Sequence, residues 1–589
     1  MEKIMRFGSK NGVLSFVNLE SEKNNQSAED LKKHAEFFRD TTSFERFKYL
    51  SVEVINDHGI QSQHMQDFAD KIKAYYKQKK KEVKRELKDL QRDKEFWTKS
   101  SQYEVVVPVG WDINHKEVCF EIGNAQNHTL ICGRSGSGKS NFLHVLIQNL
   151  AFYYAPNEVQ LFLLDYKEGV EFNAYTNPTI LEHARLVSVA SSVGFGVGFL
   201  SWLDKEMKKR GELFKQFNVK DLSDYRKHGE MPRLIVVIDE FQVLFSGNST
   251  KEKDRVEAYL TTILKKGRSY GVHLILATQT MRGADINRSL MAQIANRIAL
   301  PMDAEDSDSI LGDDVACELV RPEGIFNNNG GHQKYHTKMS IPKAPDVESF
   351  IKKIHGEFNQ RNLAPIEHKI YNGETPLEMP SILKANEMRL HLGKEVDYEQ
   401  KDLIVEFESN ESHLLVVSQD LNARIALMKL LFQNIKSANK ELVFCNKEKR
   451  LIRSFDTRKE YGITPVENIL SVLDTAMSPN SVLVIDNLNE AKELHDKIGV
   501  EKLRSFLEKA IDNEQYCVIF AHDFRQIKTN YHFDKLKELL NNHFKQCLAF
   551  MCNGENLSAL KSEQKLHELN ARLINTSKDS YTEFRPFSL

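Results

Sequence analysis

The stretch TLICGRSGSGKSNFLHVLIQNL, residues 129–150, contains the pattern G-x-x-x-x-G-K-[ST] between a short apolar run and an amphipathic segment. The apolar run predicts a buried strand, and the segment after Lys139 predicts a helix. Glycines let the loop between them fold into a nest of backbone N–H groups at the helix N-terminus, where the helix dipole favours anions. This stretch therefore predicts a phosphate-binding loop in an α/β fold.

Each residue of this loop is expected to contact the phosphates of a nucleotide. Lys139 supplies a positive charge for the β- and γ-phosphates, and the Ser140 hydroxyl is a ligand for Mg²⁺. The pattern therefore predicts ATP and Mg²⁺ as cofactors. The predicted nucleotide-binding residues are Gly133, Arg134, Ser135, Gly136, Ser137, Gly138, Lys139 and Ser140.

Two further apolar runs end in polar residues. The run RLIVVIDEF (233–241) predicts a buried strand that ends at Asp239 and Glu240, and α/β folds place ligands at the carboxyl ends of their strands. We expect Asp239 to hold magnesium through water and Glu240 to polarise the attacking water. The run GVHLILATQ (271–279) ends at Gln279, which would sense the γ-phosphate; a structural glutamine is the alternative.

The same order of runs recurs later in the chain. Residues 126–141 align without a gap on 411–426, and the other runs follow in the same order. The further pairs are 107–112 with 390–396, 159–167 with 440–447, 233–241 with 481–488 and 274–279 with 517–523. This order predicts two copies of one α/β unit.

The second copy has lost the residues that bind phosphate. Ser418, Ala423, Arg424 and Ile425 stand where the first copy has Gly133, Gly138, Lys139 and Ser140, and Asp486-Asn487 stands where it has Asp239-Glu240. We expect the second copy to bind no nucleotide, because it lacks the flexible loop, the lysine and the magnesium hydroxyl. Weak binding in which Arg424 substitutes for the lysine is the alternative.

Composition divides the 589 residues into four parts. Residues 1–102 are rich in charge, and their glycine- and proline-free stretch 61–99 predicts a helix. This helix is either solvated, as in a coiled-coil arm, or it contacts a phosphate backbone or docks on a partner. Residues 103–345 and 381–589 are expected to form tandem RecA-like domains, each a parallel sheet with helices on both faces. Residues 346–380 are expected to connect them.

The overall composition, 41% hydrophobic and 28% charged, is that of a folded protein with packed cores. Lys and Arg number 81 and Asp and Glu 83, which excludes nucleic-acid binding through a broadly basic surface; any such contact must be local. The sequence shows no signal peptide and no membrane span. Its seven scattered cysteines include no CxxC pair, which argues against a disulfide framework or zinc site. We therefore expect a cytoplasmic protein.

Beyond the two nucleotide motifs, residues 103–342 resemble the FtsK/SpoIIIE branch of the FtsK–HerA motor ATPases. The pattern GRSxGxHLxxATQ (267–279) is specific to that branch. The other shared residues are Asp165-x-Lys167 with Gly169-Val170-Glu171, Glu206-Met207-x-x-Arg210, Asp239-Glu240-Phe241, and Asn296-Arg297-Ile298 ahead of Asp308-Ser309-x-Leu311-Gly312.

The resemblance implies a ring of subunits, usually a hexamer, with ATP bound between neighbours. An arginine of one subunit would reach the γ-phosphate held by the next, and Arg268 and Arg297 match that arginine. An ordinary ion pair is the alternative for each. We therefore expect this chain to form a homo-oligomer.

Family members drive double-stranded DNA through the ring or, in type VII secretion, power protein export. The resemblance places substrate loops after Lys167 and after Gln279, in which Lys167, Arg282 and Arg288 would contact DNA phosphates. The sequence shows neither the membrane helices of both groups nor the winged-helix domain of the DNA pumps. Tandem intact and degenerate units also resemble the secretion ATPases EccC and EssC.

We therefore expect a DNA translocase. One alternative is an ATPase that moves a protein partner bound through residues 1–102 or 381–589. Another is a nucleotide-gated scaffold.

Overall fold

The computed structural model of the protein describes residue 71 and residues 85–589 with short gaps. The gaps are 93, 168–169, 246–249, 283–287, 379–388, 408–412, 449–455, 476, 511, 529–530, 563–565, 567–568, 579 and 589. Of the helix predicted over 61–99, residues 61–70, 72–84 and 93 lie outside the described residues. The described part of 85–99 contains only the 3₁₀ turn Leu87–Asp89, so the helix prediction is wrong there. Leu87, Leu90 and Trp97 instead pack in the first apolar core. Residues 87–589 form one compact unit.

The first half of this unit contains an 11-stranded sheet in the order β11-β5-β4-β6-β7-β3-β8-β9-β10-β1-β2. The strands from β11 to β8 are parallel, and those from β8 to β2 are antiparallel. Their bounds are β1 Glu104–Trp111, β2 Glu117–Gly123, β3 Thr129–Cys132, β4 Val159–Asp165, β5 Ala184–Val189, β6 Arg233–Asp239, β7 Val272–Thr278, β8 Asn296–Ala299, β9 Glu323–Asn327, β10 Thr337–Ser340 and β11 Lys369–Asn372.

Helices cover both faces of this sheet. Alternate residues of the central strands enter two separate apolar cores, so that Ile131 faces one core while Leu130 faces the other, as expected for a strand buried on both sides. The helices of this half are α1 Lys139–Tyr153, α2 Val170–Asn173, α3 Val193–Gln216, α4 Leu222–Tyr225, α5 Thr250–Tyr270, α6 Arg288–Met291, α7 Ala304–Leu311 and α8 Val347–Arg361, with short 3₁₀ turns at Leu87–Asp89, Ala174–Thr176, Phe241–Phe245, Val315–Glu318 and Gln333–Tyr335.

The second half contains a 10-stranded sheet in the order β14-β13-β21-β20-β19-β15-β18-β17-β16, with β12 paired to β21. Its strands are β12 Leu377–Glu378, β13 Arg389–Glu395, β14 Asp402–Glu406, β15 Leu414–Val417, β16 Glu441–Cys445, β17 Ser481–Ile485, β18 Tyr516–Ala521, β19 Gln546–Phe550, β20 Ala571–Asn575 and β21 Ser580–Ser588. Its helices are α9 Leu421–Ser437, α10 Thr457–Tyr461, α11 Ile469–Asp474, α12 Lys497–Ala510, α13 Tyr531–His543 and α14 Gly554–Ala559, with 3₁₀ turns at Lys492–Leu494 and Gln526–Lys528.

The two sheets repeat one topology. Nine strands of the second sheet, from β16 to β14, follow the same spatial order as the nine strands from β4 to β2 in the first. The first strands of the two repeats, β1 and β13, are also alike. Each carries a bulge next to the aligned glycine, Gly110 in β1 and Gly393 in β13. The prediction of tandem α/β units is therefore confirmed.

The stretch predicted as a connector, residues 346–380, contains secondary structure of its own. Helix α8 packs on the first core, and strand β11 pairs in parallel with β5 at the edge of the first sheet. The first sheet therefore gains a strand that has no counterpart in the second half.

The second half packs against a glycine-rich side of helix α3. A Cβ added at Gly194 would lie 2.7 Å from the Glu583 carboxylate, and one at Gly198 would lie 2.8 Å from the carbonyl oxygen of Val396. Four residues beyond Gly198, the rings of Trp202 and Tyr398 lie 3.8 Å apart. Glycine is required at these positions because a side chain would occupy the space taken by the second half.

Among the described residues, none of the helices is both long and apolar enough to cross a lipid bilayer.

Candidate active site

The loop Gly133–Ser140 joins the end of β3 to the start of α1. Gly136 and Gly138 have φ angles of 76° and 101°, a conformation that side chains rarely adopt. Gly138 is the N-cap of α1, and no side chain caps this helix among the described residues. The first N–H groups of the helix are therefore left to bind an anion.

Backbone hydrogen bonds fix this loop to the neighbouring strands. The Gly133 N–H donates to the carbonyl oxygen of Thr278 at 3.3 Å, and the Arg134 N–H donates to that of Pro301 at 3.1 Å. The side chains of Arg134 and Ser135 are exposed, whereas Ser137 is buried. The loop thus presents its backbone at the carboxyl edge of the parallel strands, where α/β folds bind ligands.

Lys139 is buried and contacts both carboxylates that follow β6. Its ammonium group donates to Asp239, and it donates to Glu240 Oε1 at 3.0 Å. Burial alone would lower the pKa of Lys139, but the two carboxylates outweigh it and raise that pKa. Burial raises the pKa of Asp239. Burial also acts to raise the pKa of Glu240, yet Lys139 and the hydrogen-bond donors around Glu240 lower it.

Glu240 is held by two glutamines. Gln279 Nε2 donates to Glu240 Oε1 at 2.7 Å, and Gln242 Nε2 donates to Glu240 Oε2 at 2.7 Å. The backbone of Glu240 has a φ of 54°, uncommon for a residue with a side chain and frequent at functional sites. The structure therefore brings Lys139, Asp239, Glu240 and Gln279 together, as the sequence predicts.

A network that sequence analysis did not assign lies beside Ser140. The Ser140 hydroxyl donates to Glu171 Oε1 at 2.6 Å, while His144 lies 3.5 Å from the other oxygen of Glu171. The hydrogen bond with His144 lowers the pKa of Glu171 to about 2, so this carboxylate is ionised. Glu171 belongs to the family pattern quoted above, but nothing in that pattern indicates its contact with Ser140.

Oxygen donors suited to magnesium surround the loop. Ser140, Asp239 and Glu171 offer a hydroxyl and two carboxylates, and hard oxygen ligands are those that Mg²⁺ prefers. The described residues contain no group of three or more His, Cys, Asp or Glu side chains that could hold a metal by themselves. This is expected for Mg²⁺ in a nucleotide site, where phosphates and water complete the coordination. The chemistry of Ser140, Asp239 and Glu171 thus fits a Mg²⁺ ion bound together with a nucleotide.

The two candidate arginines for a neighbouring subunit differ in their surroundings. Arg268 is exposed near the end of α5, at the opposite edge of the sheet from the loop, and it has no ion pair with a described residue. Arg297 lies on β8 and donates to the carbonyl oxygen of Ile310 at 2.5 Å. It also lines a cavity of about 760 Å³. Arg297 is thus engaged within its own chain.

The predicted substrate-loop residues are only partly visible. Lys167 is exposed, and its backbone N–H donates to Asp165 at 2.8 Å. Arg282 is exposed and pairs with Asp303 at 3.4 Å and with Glu305 at 2.5 Å. Arg288 begins helix α6, but its side chain lies outside the described residues.

The equivalent site of the second half is occupied by its own side chains. Asp420 caps helix α9 and accepts a hydrogen bond from the Ala423 N–H at 2.7 Å. Arg424, at the position of the loop lysine, lies 3.5 Å from Glu448, and Asn487 Nδ2 donates to the same carboxylate at 3.0 Å. The helix N-terminus that has no side-chain cap in the first half is thus capped by a carboxylate in the second.

The part of the chain that carries this site is similar in sequence to known proteins. Residues 86–347 match the FtsK/SpoIIIE family. The chain is 34% identical over 234 residues to the ESX secretion system protein EccC of Geobacillus thermodenitrificans, covering 38% of this chain and 15% of that protein. It is 25% identical over 395 residues to the DNA translocase FtsK of Caldanaerobacter subterraneus, covering 66% of this chain and 50% of that protein.

The fold of the tandem halves also has a solved counterpart. The cytoplasmic domain of the type VII secretion ATPase EccC from Thermomonospora curvata superposes with a TM-score of 0.58 at 17% identity, over 86% of this chain and 67% of that one. The resemblance to the FtsK/SpoIIIE branch and to EccC, expected from the sequence, is confirmed. This chain spans at most half the length of the two curated relatives described above.

Proposed function

We propose that this chain, which contains an FtsK/SpoIIIE family P-loop ATPase domain at residues 86–347, is an ATP-hydrolysing motor that acts on double-stranded DNA as a ring oligomer. The observation that carries the ATPase part is the cluster of Lys139, Asp239, Glu240 and Gln279 beside a loop with free helix N–H groups. This cluster supplies charge, positioning and a carboxylate base, which phosphoryl transfer requires.

The residues of the cluster act by exchanging partners. Lys139 leaves Asp239 and Glu240 to bind the β- and γ-phosphates, and Glu240 Oε1 is then free to accept a hydrogen bond from the attacking water. Gln279, already bonded to Glu240, transmits the presence of the γ-phosphate to that carboxylate. Ser140 and Asp239 would hold Mg²⁺, which supplies charge neutralisation on the phosphates when it is bound.

The DNA part of the proposal rests on the second substrate loop and on the similarity to FtsK translocases. Arg282 is exposed, and its pairs with Asp303 and Glu305 lie at the surface. Surface ion pairs contribute little free energy, so a DNA phosphate can replace these carboxylates. A local contact of this kind suits a chain whose net charge is −2.

The ring would place a neighbour's arginine at the γ-phosphate. We assign this role to Arg268 rather than Arg297, because Arg268 is exposed and lacks an ion-pair partner among the described residues, whereas Arg297 is bonded to Ile310. The second half, with its occupied site, would bind no nucleotide and would serve assembly or regulation from its position against α3.

A second function is favoured by one observation. The similarity to EccC is higher in identity than the similarity to FtsK, so an ATPase that moves a protein partner is the alternative. A protein partner would dock on the second half, whose fold is retained without its nucleotide chemistry.

The rate of ATP hydrolysis by the full chain, with and without duplex DNA, distinguishes these functions. We expect DNA to stimulate hydrolysis, with the stimulation falling as salt rises and lost in Arg282→Ala/Arg288→Ala. Arg458→Ala, which removes an exposed arginine on α10, is the matched control and should behave as wild type. Basal hydrolysis without any response to nucleic acid would favour the protein-partner function instead.

A further inference from the structure

Arg321 lies over the phosphate loop, although nothing in the sequence pattern points to it. A Cβ added at Gly138 would lie 3.6 Å from Arg321 Nε, and the next two nearest atoms also belong to the Arg321 side chain. Arg321 is itself exposed, and it has no hydrogen bond or ion pair with a described residue. A charged guanidinium therefore stands beside the loop with no anion of the described chain to neutralise it.

The turn that carries Arg321 is fixed to the sheet. Val320 and Glu323 are joined by two hydrogen bonds, one from the Glu323 N–H to the Val320 carbonyl oxygen and one from the Val320 N–H to the Glu323 carboxylate. The Ile341 N–H, just after β10, donates to the Pro322 carbonyl oxygen at 2.9 Å. These bonds fix the backbone on both sides of Arg321, so its side chain starts from a fixed position beside the loop and only its rotamers have to be ordered on binding.

The strand order shows which flank of the loop Arg321 occupies. Strand β3, which leads into the loop, lies between β7 and β8, and β6 with Asp239 and Glu240 follows on the β7 side. Strand β9, which starts two residues after Arg321, lies on the β8 side. Arg321 and the two carboxylates thus approach the loop from opposite flanks.

These flanks correspond to the two ends of a bound nucleotide. Lys139 reaches the β- and γ-phosphates, while the loop N–H groups hold the α- and β-phosphates, so the γ-phosphate lies toward Asp239 and Glu240. The α-phosphate and sugar then extend to the other flank, where Arg321 stands next to the exposed apolar side chain of Val320.

We propose that Arg321 is a nucleotide-binding residue of the same chain, whose guanidinium contacts the α-phosphate and sugar end of the nucleotide. This inference rests on the proposed binding of ATP by the loop 133–140. Arginine suits the role because its planar group donates paired hydrogen bonds to a phosphate and stays charged at all relevant pH values.

The test is the affinity of the purified full chain for ATP and for ADP, each measured by calorimetry with Mg²⁺. Arg321→Ala should weaken both nucleotides by about tenfold, the loss expected for one charge-assisted contact, and should leave their ratio unchanged, because both share the α-phosphate. Arg321→Lys should recover part of the affinity. The control Lys334→Ala removes an exposed cation from the distant end of the β9–β10 hairpin and should bind as wild type.

Each outcome has a distinct meaning. Wild-type affinity of Arg321→Ala for both nucleotides would overturn the inference while the proposed ATPase function stands. A loss confined to ATP would also overturn it, because the contact would then lie at the γ-phosphate. Failure of the wild-type chain to bind ATP at all would overturn the proposed function and this inference together.

Discussion

Replacing Glu240 by glutamine tests the assignment of the catalytic carboxylate. Glutamine has the shape of glutamate and still offers an oxygen to Gln279, which donates to Glu240 Oε1 at 2.7 Å. Lys139 keeps its contact with Asp239. The substitution removes one charge and one base. Its amide nitrogen replaces Glu240 Oε2, so the weak bond from the Gln279 N–H is lost, and the Gln242 amide must rotate to offer its oxygen instead of its nitrogen. The bond from Gln279 Nε2 to the remaining oxygen can persist, and the fold and the phosphate loop should be preserved.

The expected effect on turnover follows from the role of this carboxylate. A positioned general base contributes roughly 100- to 10,000-fold to rate, so kcat of Glu240→Gln should fall by at least about 100-fold. The affinity for ATP should stay within a few-fold of wild type, because the loop N–H groups and Lys139 make the phosphate contacts. The pKa of Glu240 is lowered, so the residue is ionised at neutral pH and the loss should be the same across neutral and alkaline pH.

The assay compares steady-state hydrolysis with ATP affinity on the same preparation. Glu212→Gln, the same change at an exposed residue paired with Lys215, serves as the control and should leave both quantities unchanged. Undiminished hydrolysis in Glu240→Gln would refute the reasoning. So would a loss of ATP binding equal to the loss of turnover, because Glu240 would then act in binding rather than in the chemical step.

Three further predictions concern stability. Lys139→Ala leaves Asp239 and Glu240 buried without their cation and should lower the free energy of unfolding by about 3 kcal/mol. Adding Asp239→Asn should restore part of this loss of stability. An unchanged melting temperature in Lys139→Ala would contradict the contacts of Lys139 with the two carboxylates. Burial raises the pKa of Asp486 from 3.8 to about 6, so its contribution to stability is fully present below the unfolded pKa and is lost as pH rises through about 6. Urea unfolding of the full chain between about pH 4 and pH 7 should show this loss as up to about 3 kcal/mol in the free energy of unfolding, and Asp486→Asn should abolish it. An identical pH dependence in the variant and the wild type would exclude Asp486 as its source. Gly198→Val should weaken the packing of the second half on helix α3 by about 1–3 kcal/mol and speed limited proteolysis between the halves. The control Gly356→Ala places its side chain in open space on helix α8 and should not change the rate. Equal rates of proteolysis in the two variants would argue against the contact at Gly198.

Much of the fold was accessible from sequence because its signals are local. A run such as 233–241 is apolar on both sides of the strand, as expected for a parallel strand between two helical layers. The repeat was visible because each strand kept this character in both halves. Strand β11 was not predicted, since KIYN (369–372) is short and its pairing with β5 depends on a contact about 180 residues away along the chain.

In the candidate site, too, some residues could be predicted from local sequence and others could not. Lys139, Asp239, Glu240 and Gln279 follow the ends of parallel strands, so the topology alone brings them to one edge. Glu171 and Arg321 could not be placed in this way. Glu171 reaches Ser140 from the start of a short helix, and Arg321 reaches the loop from an exposed turn before an antiparallel strand. Neither position follows from a strand pattern.

The two halves differ at the start of the helix that follows the loop as well as at the loop lysine. In the first half, Gly138 is the N-cap and leaves the N–H groups of α1 to an external anion. In the second, Asp420 supplies that anion from within, bonded to Ala423 N–H. A carboxylate at this position satisfies the helix dipole and repels phosphate at the same time. Arg424, at the position of the loop lysine, lies within ion-pair distance of Glu448, and Ile425 offers no hydroxyl for magnesium where the first half has Ser140. The same cap that stabilises helix α9 therefore supports the prediction that the second half binds no nucleotide.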